Sequence, residues 1–150
     1  FNNQIYSDEE KFNLIKDGNF VIISYRILPS EQSKKCLINK ISYLEKNNID
    51  FLVIGTKDFG FNINRPLKDK MYDFQAMPSK EILDFNDCLK KNVPQEKFID
   101  LLNLISNEGK VPLFTADNKL ISIDRAHLTY FGARDIGKII FSDIRLNDFR

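Results

Sequence analysis

Phe20-Val-Ile-Ile-Ser-Tyr25, then Pro29-Ser30, then an apolar stripe at Leu37, Ile41 and Leu44, then Asp50-Phe-Leu-Val-Ile-Gly55: the reading of this run decides the fold. The first piece is β-branched and aromatic and follows the turn-like Lys16-Asp-Gly-Asn19, which predicts a buried strand. Pro29-Ser30 marks a helix start with Ser30 as N-cap. Leu37, Ile41 and Leu44 stand at i, i+4 and i+7 with Ile38 beside them, one face of a helix that Asn47-Asn48 ends. Phe51 to Ile54, closed by Gly55, predicts a second buried strand. Strand, helix, strand in this order is a βαβ unit, which implies a parallel crossover and an α/β class with helices on both faces of a parallel sheet.

Working outward, Gly55 to Met77 has no clean period and carries Gly60, Asn62, Asn64 and Pro66, the mark of a functional or mobile loop. Pro78-Ser79 opens a helix reaching about Lys91. After Val93-Pro94, Phe98, Leu101, Leu102 and Ile105 fall at i, i+3, i+4 and i+7 and predict one amphipathic helix ended by Asn107-Glu-Gly109. Val111–Phe114 and Leu120–Ile123 read as short extended pieces about the turn Ala116-Asp-Asn118. A last helix over Tyr130–Phe141 presents Gly132, Ala133, Ile136 and Ile140 on one side. No repeat or linker divides residues 1–150, so they read as a single domain.

The balance of 22 Lys and Arg against 21 Asp and Glu, net +1, lacks the basic excess of a nucleic-acid binder. The longest apolar runs are far short of the roughly 18–20 residues of a membrane span. Two cysteines and one histidine nearly exclude a structural zinc site, which needs about four such ligands. Cys36 and Cys88 are expected to be buried thiols on helices, with a disulfide as the alternative.

One constellation could carry chemistry, Asp124-Arg-Ala-His127-Leu-Thr129 followed by Tyr-Phe-Gly132-Ala133, the plainer account being a chance Asp-x-x-His with a surface or satisfied histidine. It follows an extended piece and precedes a helix, where open α/β sheets place their sites. At i, i+3 in a turn, Asp124 can reach the Nδ1–H of His127, fixing the tautomer with Nε2 as the basic nitrogen. Thr129 is placed to cap the helix, and Gly132 and Ala133 are small enough for close approach to the sheet.

This string resembles the last conserved block of the SGNH (GDSL-like) hydrolase superfamily, and within it the SGNH domain fused to bacterial acyltransferase-3 membrane proteins, where the block reads Asp-x-x-His-Leu-Ser/Thr-x-x-Gly-Ala. The strand Val21-Ile-Ile-Ser-Tyr-Arg26 and the later Phe51-Leu-Val-Ile-Gly55 with its irregular loop also fit that subfamily. The resemblance implies a three-layer α/β/α flavodoxin-like fold and a Ser-His-Asp triad in which His127 is the base and Asp124 orients it. It implies acyl transfer, commonly of acetyl, to hydroxyls of a cell-surface polysaccharide. It further implies an acyl donor delivered by a membrane acyltransferase-3 domain, no tightly bound cofactor, and a place on the outer, periplasmic face of the cytoplasmic membrane.

The family's Gly-Asp-Ser block does not occur among the 150 residues, and neither does the cysteine pair of many relatives. The expectation is a C-terminal portion of an SGNH domain, without the first strand and its serine, and inactive alone; the alternative is a non-catalytic carbohydrate-binding or regulatory module that keeps the fold. Arg26, at a strand end, and Lys57 and Asp58, after the Phe51–Ile54 strand, are candidate substrate-binding residues, with an edge ion pair and a solvated loop as the plainer accounts. Tyr72, Phe74 and Tyr130 are the aromatics that could meet a sugar. A phospho-acceptor receiver domain shares the outline but needs an acidic pair and a lysine that are not found.

Overall fold

A computed structural model describes residues 20–24, 30–60 and 64–149. Strand β1 (Val21–Ser24) leads through helix α1 (Glu31–Lys46) to β2 (Phe51–Ile54). The two strands pair in parallel, Val21 opposite Phe51 and Ser24 opposite Ile54, so the βαβ reading holds. Ser30 offers its carbonyl to the Lys34 amide at 3.0 Å, opening α1, and Leu37, Ile41 and Leu44 are buried as their spacing predicts.

Two short elements, α2 (Asn64–Lys68) and β3 (Gln75–Ala76), occupy the stretch that showed no period. Helix α3 (Lys80–Asn92) follows Ser79. The single helix expected after Pro94 is instead three pieces: a 3-10 turn at Gln95–Lys97, strand β4 (Phe98–Ile99) and helix α4 (Leu101–Ile105). Phe98 and Ile99 pair in parallel with Val53 and Ile54, and Asp100 starts α4 by accepting the Asn103 amide at 3.2 Å. Pairing with a buried strand outweighed the helical spacing here. Strand β5 (Val111–Pro112) pairs antiparallel with β3, a second sheet that the expectation of one parallel sheet did not contain. Helix α5 (Tyr130–Phe141) and a 3-10 turn at Ile144–Phe149 end the described chain.

The main sheet has the order β1-β2-β4. Successive residues of β2 point to opposite faces. Phe51 and Val53 join Leu37, Ile41, Phe85 and Leu89 from α1 and α3 in one core. Leu52 and Ile54 join Leu101, Ile105 and Ile136 from α4 and α5 in the other. Helices therefore cover both faces, which is what a parallel sheet requires to exclude water. Beyond α5, Arg145 binds Asp143 and donates to the carbonyls of Phe98 and, at 3.1 Å, Gln95, fastening the last turn to β4.

Cys36 and Cys88 sit on α1 and α3 as free thiols; Cys36 is exposed and Cys88 half-buried, so neither is the buried core thiol expected. Cys36 directly precedes the buried Leu37 and so falls off the inward face of α1.

Candidate functional site

The Asp124–His127 segment is a closed loop before it is a site. Ser122 and Leu128 bridge antiparallel, and the Ile123 amide donates to the His127 carbonyl at 3.1 Å. The Ser122 side chain lies beneath, fully buried, its Oγ against the carbonyls of both Asp124 and His127. Thr129 fixes the exit: its hydroxyl donates to the Leu120 carbonyl at 2.5 Å and accepts the Gly132 amide at 3.1 Å, the N-cap of α5 that the sequence predicts.

Within that loop Asp124 divides its oxygens. Oδ1 accepts the amides of Ala126 and His127, each at 2.7 Å, and Oδ2 lies 2.5 Å from His127 Nδ1. These two amides, and then the imidazole, hold the Asp124 carboxyl well below the usual carboxylate range. An ionised carboxylate only accepts, so Nδ1 carries the shared proton and Nε2 is the basic nitrogen. Both side chains are about half exposed, at 50% for Asp124 and 45% for His127, within reach of a substrate. Ile123 and Tyr130, also exposed, flank the pair in sequence, and Tyr130 stands edge-on to Phe131 at 5.5 Å between centroids.

The loop meets the main sheet through the chain that leaves β2. The Phe59 amide donates to the Arg125 carbonyl at 3.0 Å. Asp58, only 1% exposed, accepts the amides of Gly60 at 2.9 Å and Ser79 at 2.8 Å. It also takes a two-pronged bond from Arg125, Nε at 3.1 Å and Nη2 at 2.7 Å. Burial pushes the Asp58 carboxyl up, but Arg125 and the two amides outweigh it and hold the group below its ordinary value. Ser79 Oγ accepts from the same Nη2 at 2.7 Å instead of capping α3.

The candidates from sequence thus separate. Asp124 and His127 come together. Asp58 is turned inward, its oxygens spent on protein donors, so the structure gives it a bracing place in contrast to the pocket lining expected. Lys57 is half-buried beside it, and Arg26 lies outside the described residues. Tyr72 is exposed and edge-on to Phe114 at 5.3 Å; Phe74 is half-buried against the core. Gly132 and Ala133 do not share the expected role. A Cβ at Gly132 would fall 2.0 Å from the Ile121 carbonyl oxygen, so the close approach is to that extended segment, while Ala133 is exposed. Sequence reasoning missed Arg125, whose partners Asp58 and Ser79 lie far off in the chain, and Ser122, whose partners are near in sequence but are backbone carbonyls that no side-chain motif signals.

Among the described residues no group of three His, Cys, Asp or Glu could hold a metal ion, and no helix is long and apolar enough to cross a membrane. Comparison with family models, with curated proteins and with solved structures found no match.

Proposed function

We propose that residues 1–150 are the C-terminal portion of an SGNH-type O-acyltransferase or esterase domain, flavodoxin-like and three-layered, acting on hydroxyls of a bacterial cell-surface polysaccharide outside the cytoplasmic membrane. The observation that carries this reading is the Asp124–His127 pair: a carboxylate fixed by two amides, holding Nδ1 of an accessible imidazole at 2.5 Å. In such a pair Nε2 takes the proton of a serine hydroxyl as its oxygen attacks the acyl carbonyl. Asp124 stabilises the imidazolium formed, and the proton passes to the departing group. A sugar hydroxyl, deprotonated in turn by Nε2, then attacks the acyl carbonyl, the acyl–Oγ bond breaks, and the imidazolium returns the proton to the serine oxygen.

The nucleophilic serine belongs to sequence outside these 150 residues. Four serine hydroxyls within them are committed elsewhere: Ser79 to Arg125, Ser106 to Leu102, Ser122 to the loop carbonyls and Ser142 to Ile139. A membrane acyltransferase-3 domain supplies the acyl group, and no bound cofactor is needed.

The test is turnover of a small acetyl ester, and acetyl transfer to polysaccharide, by the polypeptide carrying its upstream sequence. Serine-dependent activity that falls with His127→Ala supports the reading. Full activity of His127→Ala overturns it, and binding of polysaccharide without any turnover assigns the domain to carbohydrate recognition.

A further inference from the structure

The loop that carries the pair is short and surface-exposed, and Arg125 fastens it to the chain that leaves β2. Arg125 stands between Asp124 and His127, and both its backbone and its side chain are held by the segment that follows β2: its carbonyl by the Phe59 amide at 3.0 Å, its guanidinium by Asp58. A fork of two parallel bonds to a carboxylate fixes direction as well as distance. The carboxylate is itself immobile, buried at 1% exposure and bonded to the Gly60 and Ser79 amides. Ser79, at the start of α3, adds a third hold on the same guanidinium at 2.7 Å.

Ser122 and the Ile123–His127 bond draw the two ends of the loop together, and the anchor grips the turn between them, at the residue that follows Asp124. It therefore steadies the turn that brings Asp124 to His127 and also sets that turn against the sheet edge, where a nucleophile on a neighbouring strand end would have to meet Nε2. We infer that Asp58 and Arg125 are positioning residues: a strut from the chain leaving β2 that sets the Asp124–His127 pair at a fixed place and tilt against the sheet. This rests on the proposed acid–base role of that pair, but the strut is tested without any substrate.

His127 is the single histidine of the chain, so its ring signals are unambiguous in nuclear magnetic resonance spectra. In the wild-type protein the Nδ1 proton should appear far downfield, as an imidazole N–H donated to a carboxylate, and the ring nitrogen shifts should report the Nδ1–H tautomer. Arg125→Gln removes the fork while Asp58 keeps its two amides. It is expected to broaden or abolish the downfield signal and mix the tautomers, with the amide spectrum of the core unchanged; Arg125→Lys, which keeps charge but not the fork, should restore it only in part. Asp58→Asn should act in the same direction. Lys90→Met, which breaks the distant Lys90–Asp100 pair of 2.6 Å, is the control that removes an ion pair without touching the loop.

An unchanged His127 spectrum in a folded Arg125→Gln protein overturns the inference, and so does outright unfolding of that variant, which would make the strut a requirement of the fold. In the longer, active polypeptide Arg125→Gln should lower kcat by about 10²-fold, the scale of an ångström's misplacement, with KM little changed. Absence of any turnover would refute the proposed function and leave the spectroscopic result standing. Turnover with an insensitive His127 spectrum would do the opposite.

Discussion

Replacing Asp124 by asparagine separates the two tasks of its carboxylate. The amide side chain would keep one oxygen for the Ala126 and His127 amides, so the loop should stay closed. Its other terminus would be an NH₂ donor facing Nδ1, which forces the opposite tautomer and puts the proton on Nε2. Turnover of the longer polypeptide should therefore fall nearly as far with Asp124→Asn as with His127→Ala, each by about 10²–10⁴-fold as measured by acetyl-ester hydrolysis, since a base is lost in both. The Asp124–His127 pair was legible in the sequence because three residues of separation in a turn suffice to bring the groups together. The Asp58–Arg125 bond was not, because its partners stand 67 positions apart and only the folded sheet brings them into range.

At the scale of elements, Gly132→Ala sets two effects against each other. Alanine is favoured over glycine within a helix by about 1 kcal/mol. Here its Cβ would fall 2.0 Å from the Ile121 carbonyl oxygen, a backbone atom that cannot swing aside. Overpacking of this kind costs about 1–3 kcal/mol, and the rigid neighbour puts it at the upper end, so the net change should be destabilising in urea unfolding. Thr129→Ala, losing the cap of α5 and the bond to the Leu120 carbonyl, should cost about 1 kcal/mol or somewhat more in the same measurement. Helices α1, α3 and α5 and strands β1 and β2 could be read from period and turn residues alone. The segment Phe98–Ile105 could not, because its apolar spacing fits a helix equally well and only the open edge of β2 decides that Phe98 and Ile99 are strand.

For the whole molecule, acid is the informative perturbant. Asp58 has a folded-state carboxyl below its unfolded value of about 3.9, so the stability it contributes is fully present above that pH and is lost as pH falls further, through the folded value. Asp143, held down by Arg145, adds to the same limb. Asp58→Asn should cost on the order of 3 kcal/mol at pH 7, the low end for breaking a buried pair because Arg125 retains contact with water. Its deficit against wild type should narrow below about pH 4, as followed by urea midpoints across pH. Among the described residues β1 is the edge of the main sheet, and this has a consequence of another kind. The Val21 amide is given to Asp50, so by the alternation of a parallel ladder the Ile22 and Ser24 amides point away from β2, and Ile22 is 53% exposed. Their exchange with deuterium is then a direct report on what lies along β1: rapid in a protein whose sheet ends there, and slowed by orders of magnitude in a longer polypeptide that lays one more strand against it.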